Sequence, residues 1–400
     1  MRVAFVSNYM VIHQKPFCDA MIGLLGADNF KFIACEELEA YRKTTGYRNM
    51  NDDPCVIRAY ESQGEKQRAR EFVLGADVAI VTISYPEWLE LRREREGGLN
   101  FVYMERLLKI GLWYRFFPYP KYKQAWDNCL KWRDDERYHM LCASAFGSFD
   151  LSLFAPSFPV QRCWKWGYFP PTGDLLEDGA RGGVAKKRAS ILWVARLIKL
   201  KRPYRALQLA ERLHADGYDY KLTMVGGGPM EEELSRSIHD RGLDGYVELV
   251  GVQPNERVRE LMRESDMLLF TSTRREGWGA VLNECMAEGC TPVAASMIGS
   301  VPFLIRQGVN GRVFDDTSLD SMVEQVEWLL DDPASCERMG EAARETIAEA
   351  WNAEEAARRF VALSEALLKG SAEGPFASGP CSRAEIVRDG WFRDSERAGA

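Results

Sequence analysis

Four hundred residues exceed one comfortable hydrophobic core, so the chain predicts two α/β domains of similar size. A formal charge of −7 argues against nucleic acid as the main partner, and the composition is ordinary and globular. Met1 leads straight into a strand with no signal peptide, no stretch approaches the ~20 apolar residues of a membrane span, and ten scattered cysteines without a C-x-x-C pair read as reduced, buried thiols; together these predict a cytoplasmic protein. Only four histidines are present, and no pair has metal-ligand spacing, so no metal is expected.

In chain order, Arg2–Ser7 is a first buried strand. Its loop, 8–15, should face an interdomain crevice, which makes Asn8, His13, Gln14 and Lys15 candidates for acceptor or phosphate contact; a loop histidine without function is the plain alternative for His13. Pro16 then suits the first turn of a helix through Leu25. Phe30–Cys35, Asp77–Ile83 and Asn100–Met104 read as further parallel strands, with a helix over 61–74. Glu105 and Arg106 follow the last of these. Glu105 is a candidate to orient substrate, with Arg106 behind it on the acceptor side, or the two form a strand-end ion pair. Residues 107–132 interleave lysine and arginine with aromatic rings. The strip fits a peripheral contact with the inner membrane face or a lipid-linked acceptor, and equally a packed helical hairpin. Tyr138–Ser144 is another strand, 148–153 a short helix, and 160–169 an edge strand. Gly-rich, charged 172–187 is the linker.

The second half opens with strand Ser190–Ala195, followed by Arg196 and Lys201. Fixed cations at a strand end suit an anionic ligand, and a basic cluster on solvated surface is the alternative. Tyr220–Val225 precedes the turn Gly226-Gly227-Gly228. Val247–Val250 leads to Gly251 and Val252, a strand end suited to a nucleotide base. Met267–Phe270 feeds the loop Glu276-Gly277-Trp278-Gly279, a helix over 280–288 carrying Glu284, and strand Thr291–Ala295. The loop glutamate can accept from sugar hydroxyls and the helix glutamate from a ribose; ordinary solvated glutamates are the alternative. Helices over 320–330, 336–349 and 353–368 follow. The stretch 370–400, poor in apolar residues, is expected to be poorly ordered.

The segment E-G-W-G-A-V-L-N-E-C-M-A-E-G-C-T-P-V-A-A-S closely resembles the signature of the retaining GT-B-fold glycosyltransferases of family 4, in which two glutamates have seven residues between them, as Glu276 and Glu284 do. G-S-V-P-F-L-I-R-Q-G-V-N-G-R-V-F is similar to its continuation, and Arg196 and Lys201 match the family's arginine and lysine. The likeness is dense from about 190 to 315 and thin before 180. Two departures stand out: the first loop lacks the usual glycine pair, and Glu105 stands where many relatives carry a histidine.

The resemblance implies a GT-B α/β architecture, with two Rossmann-like domains facing across a cleft and a C-terminal helix crossing back to the first. The expected domains are 1–180 for the acceptor, 188–350 for the nucleotide sugar, 351–369 as the crossing helix and 370–400 as a tail. It implies a retaining transferase that moves a hexose from a nucleoside diphosphate sugar, UDP-linked by preference, to a hydroxyl of a glycan or lipid-linked acceptor in polysaccharide biosynthesis. Arg196 and Lys201 would hold the diphosphate, Glu284 the ribose, and Glu276 with the backbone of Gly277, Trp278 and Gly279 the hexose. Gly227, Gly251, Val252, Ser296, Ile298 and Gly299 would complete the donor site. No cofactor or metal is implied, because the protein supplies the cations. A non-catalytic binding protein of the same fold, and an epimerase, are the other classes; oligomeric state is not legible.

Overall fold

The structure, a computed structural model, describes residues 1–39, 49–93, 95–109, 120–154, 158–172 and 188–393. It divides into two compact units, Met1–Pro171 with Ala350–Ile386 and Thr172–Glu349 with Val387–Ala400. The expected linker lies almost wholly outside the described residues.

The first unit is built on seven parallel strands: β1 Val3–Ser7, β2 Phe30–Ala34, β3 Val56–Arg58, β4 Val78–Thr82, β5 Leu99–Met104, β6 Tyr138–Cys142 and β7 Cys163–Lys165, in the order β3-β2-β1-β4-β5-β6-β7. Runs such as V-A-F-V-S and Y-H-M-L-C are buried along their whole length, as strands covered on both faces must be. The helix Lys15–Leu25 carries Pro16 in its first turn, as expected. It packs against the helix Ala353–Leu368 from far along the chain. Phe360 of that late helix is fully buried among Phe17 (6.2 Å between ring centres), Phe101 (5.0 Å) and Trp166 (5.8 Å). Two elements here are not evident from the sequence pattern: β3, only three residues long at the sheet edge, and the helix Pro86–Arg93.

The second unit holds six parallel strands: β8 Ala189–Val194, β9 Tyr220–Val225, β10 Val247–Gly251, β11 Met267–Phe270, β12 Thr291–Ala295 and β13 Arg312–Phe314, ordered β10-β9-β8-β11-β12-β13. Helices Pro203–Ala215, Glu231–Asp240, Asn255–Glu264, Val281–Ala287, Leu319–Asp331 and Pro333–Glu349 connect or cover them, the last three within a few residues of their expected places. Both strand orders reverse direction once, between β1 and β4 and between β8 and β11, which is the doubly wound pattern.

The segment after residue 370 departs from expectation. Residues 381–384 line the open edge of β7: Lys165 N–H donates to Ser382 O (2.8 Å), Cys381 N–H to Lys165 O (2.8 Å) and Ala384 N–H to Cys163 O (3.0 Å). The Arg383 guanidinium stacks over Trp164, 4.1 Å from the ring centre. Composition predicts disorder from missing apolar burial, whereas this order comes from backbone hydrogen bonds that satisfy an exposed edge. Residues 394–400 lie outside the described chain. All ten cysteines are thiols outside any disulfide, and nine are buried.

Candidate functional site

In the second unit the chain leaves β8 towards one side of the sheet and β11 towards the other, so the loops after these neighbouring strands part and open a crevice. Several bonds fix the two loops. Thr271 Oγ1 accepts from the Trp193 indole N–H (2.9 Å) and donates to Lys201 O (2.7 Å), and Thr273 N–H donates to Leu200 O (3.0 Å). Across this seam Lys201 forms an ion pair with Glu276, and both side chains are largely buried. Lys201 closes a 3₁₀ turn, Lys199–Lys201, which ends on Arg202 in the left-handed region (φ 51°); the Arg202 guanidinium is tied to Asp316 O (2.9 Å). Arg196 is exposed at the mouth of the loop after β8.

Glycines allow the close approaches this edge needs. A Cβ on Gly226 would lie 1.9 Å from Ala195 O, and one on Gly279 (φ 88°) would lie 2.5 Å from the Phe270 ring. Gly227 sits beside Val252, whose side chain would be 3.0 Å from an added Cβ; Val252 is 76% exposed, and Gly251 before it turns in the left-handed region. An exposed apolar side chain at a strand end next to a glycine turn is a surface on which a flat ring can rest. Gly227, Gly251 and Val252 are therefore brought together.

Glu284 stands on the helix Val281–Ala287, and the protein around its carboxyl raises its pKa to about 7; loss of water is the main cause, Glu288 adds to it and Arg259 opposes it. Trp278 turns its side chain into the core. Its ring is buried, its indole N–H donates to Asn283 Oδ1 (2.8 Å), and its carbonyl accepts from Ser300 N–H (3.3 Å). Ile298 is also fully buried, so these two residues can offer a ligand only backbone. Ser296 is buried with its N–H on Phe314 O (2.9 Å), and Gly299 is buried beside Ser300. Three buried polar atoms here have no hydrogen-bond partner among the described residues: Ser272 Oγ, Asn283 Nδ2 and Ser300 Oγ. Sequence reasoning misses them because a serine or asparagine carries no pattern of its own.

In the first unit Glu105, at the end of β5, accepts from Tyr168 O–H and pairs with Lys109. The Tyr168 ring stacks near His13 (6.2 Å, 22° between planes). His13, Glu105 and Tyr168 thus form one cluster, which sequence spacing does not join. Burial first, and the nearby Tyr103 and Glu105 next, push the Tyr168 pKa well up. Asn8 accepts from Ser7 Oγ (3.1 Å). Lys15 lies away from any such cluster, engaged by Asp19 and by Asp53 (3.1 Å). Arg106 is the clear correction: it is fully buried, paired with Asp150 (3.3 Å) and stacked on Phe146 (4.5 Å), so it holds the core and cannot reach an acceptor. Of the strip 107–132, residues 110–119 lie outside the description. Pro120–Arg133 is a helix whose Cys129 and Trp132 are buried, Trp132 lying parallel to Tyr138, which is packing rather than an exposed face at that end. His139 is structural: it accepts from the Trp164 indole N–H (3.2 Å), and burial lowers its pKa to about 3.

Among the described residues no helix is long and apolar enough to cross a membrane, and no group of three His, Cys, Asp or Glu residues could hold a metal ion. Compared with known proteins, residues 177–346 match the family model of glycosyl transferases group 1. The chain is similar to N-acetyl-alpha-D-glucosaminyl L-malate synthase of Bacillus anthracis, 27% identical over 50% of this chain and 51% of that protein. It is also similar to alpha-D-kanosaminyltransferase of Streptomyces kanamyceticus, 31% identical over 38% of this chain and 39% of that one. The chain thus spans about half the length, or less, of these curated relatives. The crystal structure of Anabaena Alr3699/HepE in complex with UDP superposes with a TM-score of 0.67 at 14% identity, over 92% of this chain and 100% of that one, which shows the fold. The match to glycosyl transferases group 1 thus falls on the second unit, and the fold is that of the GT-B glycosyltransferase structures.

Proposed function

We propose that the protein is a retaining glycosyltransferase that takes a hexose from a nucleoside diphosphate sugar and passes it to a hydroxyl of a glycan or lipid-linked acceptor. The observation that carries this reading is the pairing of the cation turn with the glutamate loop at the β8/β11 switch: Lys201 and Glu276 share one crevice edge, and Arg196 is exposed on the same loop as Lys201. When a diphosphate enters, Lys201 and Arg196 balance the charge that develops as the glycosidic bond breaks, and Glu276 is released to the sugar hydroxyls. Glu284, once ionised, accepts from the ribose. The Gly227, Gly251 and Val252 surface takes the base. A UDP-sugar is the favoured donor, in keeping with the UDP of the Anabaena structure.

The acceptor hydroxyl is oriented in the first unit, where Glu105, Tyr168 and His13 supply hydrogen-bonding groups. Its proton passes to the departing diphosphate oxygen, so no side chain acts as nucleophile and Glu276 keeps a binding role. The cations come from the protein, and no divalent metal is needed for donor binding on this reading.

The test is a panel of UDP-, GDP-, ADP- and dTDP-sugars titrated with and without Mg²⁺, read by thermal shift and calorimetry, followed by release of free nucleotide. Binding of one nucleotide class without metal, lost in Lys201→Ala, supports the reading. Binding without any turnover or donor hydrolysis would favour a non-catalytic sugar-nucleotide or glycan-binding protein instead.

A further inference from the structure

The carboxyl edge of the second sheet is crossed by a segment that lies outside the family match. After Val387 the chain re-enters the second unit and meets the loops following three adjacent strands in turn. Asp389 pairs with Arg274 in the loop after β11 (2.9 Å). The Trp391 indole N–H donates to Ser296 O in the loop after β12 (2.9 Å). Arg393 faces Asp315 after β13 (3.6 Å). The Phe392 ring is buried, 5.8 Å from that of Trp391. Contacts at every second residue, each on the next strand, make this segment a strap laid over the edge where doubly wound sheets hold their ligands.

Arg274 is two residues before Glu276. Ser296 opens the loop whose Ser300 N–H meets Trp278 O. The strap therefore grips both loops that the proposed donor sugar would lie against, and it grips them at different points. Surface ion pairs such as Asp389–Arg274 contribute little alone. The buried Phe392 and the Trp391 bond supply the anchor, and the ion pair sets where the Arg274 end rests.

We propose that Trp391 and Asp389 are positioning residues for the sugar end of the donor site, acting through Ser296 and Arg274. This rests on reading the edge as the donor site. The segment holds the loops at the separation a hexose needs, while the nucleotide end, built from Gly227, Gly251 and Val252, is independent of it.

The experiment uses the full chain and the variants Trp391→Phe and Asp389→Asn, titrated with UDP-glucose and GDP-mannose and with UDP and GDP, alongside melting temperature. The expected result is a roughly three- to tenfold loss of affinity for the sugar nucleotide, with affinity for the matching diphosphate within about twofold. Asp389→Arg should lose sugar-nucleotide affinity, and adding Arg274→Asp should restore it. Equal losses with and without the sugar, or none, overturn the inference alone. A wild-type chain that binds none of the four ligands overturns the donor-site reading beneath it, and the inference falls with it.

Discussion

Lys201 and Glu276, on loops that follow neighbouring strands of the second sheet, close an ion pair, while Arg196, earlier on the loop that carries Lys201, stays exposed. Each half of the pair is a group that a sugar diphosphate would claim. Binding therefore exchanges one set of charge-assisted bonds for another instead of desolvating two free ions.

Replacing Lys201 by alanine should lower turnover by about a hundredfold or more, the scale seen when one fixed donor to a developing anion is removed. A double-mutant cycle with Lys201→Met and Glu276→Gln, followed by urea unfolding, should give a coupling of ~1 kcal/mol. Independent effects on stability would mean that the pair does not persist in solution.

Glu284 makes a pH prediction. Its folded pKa is raised to about 7 from 4.5, so between those values the folded state holds more proton than the unfolded one. The contribution of this group is most favourable below about pH 4.5 and is lost as pH climbs through 7, by up to about 3 kcal/mol. Glu284→Gln should flatten that slope, gaining on the wild type at pH 8 and not at pH 4.5. Donor affinity should move the other way, rising through pH 7 as the carboxylate forms. Melting curves and calorimetry at matched pH check both.

Arg106→Met should cost ~3–5 kcal/mol in urea unfolding, because Asp150 would be left buried and charged with only the Leu108 N–H (2.8 Å) and its remaining neighbours around it. Adding Asp150→Asn should recover part of the loss. A change under 1 kcal/mol for the single variant would show that the buried pair contributes little.

Glu105→Gln should reduce transfer while nucleotide affinity stays nearly unchanged, since the carboxylate is bonded to Tyr168 and Lys109 within the first unit. Equal turnover in the variant would remove Glu105 from the acceptor-side proposal.

The second unit is far more legible in the sequence than the first. Glycines that must approach a carbonyl or a ring, as at Gly226 and Gly279, leave no room for a larger residue, and their spacing along the chain marks the strand ends. Glu276, Lys201 and Glu284 come with such glycines. In the first unit the groups that matter are joined only by tertiary contacts: Tyr168 reaches Glu105 from 63 residues away, and Asp150 reaches Arg106 from 44. A charged residue after a strand looks exposed in sequence, which is why the burial of Arg106 runs against expectation. The order of the tail is hidden for a related reason. It depends on an unpaired strand edge and on Trp391 and Phe392, two rings in a polar stretch that are its one visible hint.

The helix Ala353–Leu368 fills the aromatic core of the first unit, yet about 180 residues of the second are made before it. At roughly 5–20 residues per second the growing chain waits on the order of ten to forty seconds with Phe17, Phe101 and Trp166 lacking Phe360. During synthesis the order of completion is thus inverted: the unit translated second has its sheet and helices first, and the unit translated first is finished only after Phe360 has been added. A fragment ending at residue 171 or 349 would keep the first sheet and lack the helix that seals it, leaving Phe17, Phe101 and Trp166 without the ring of Phe360.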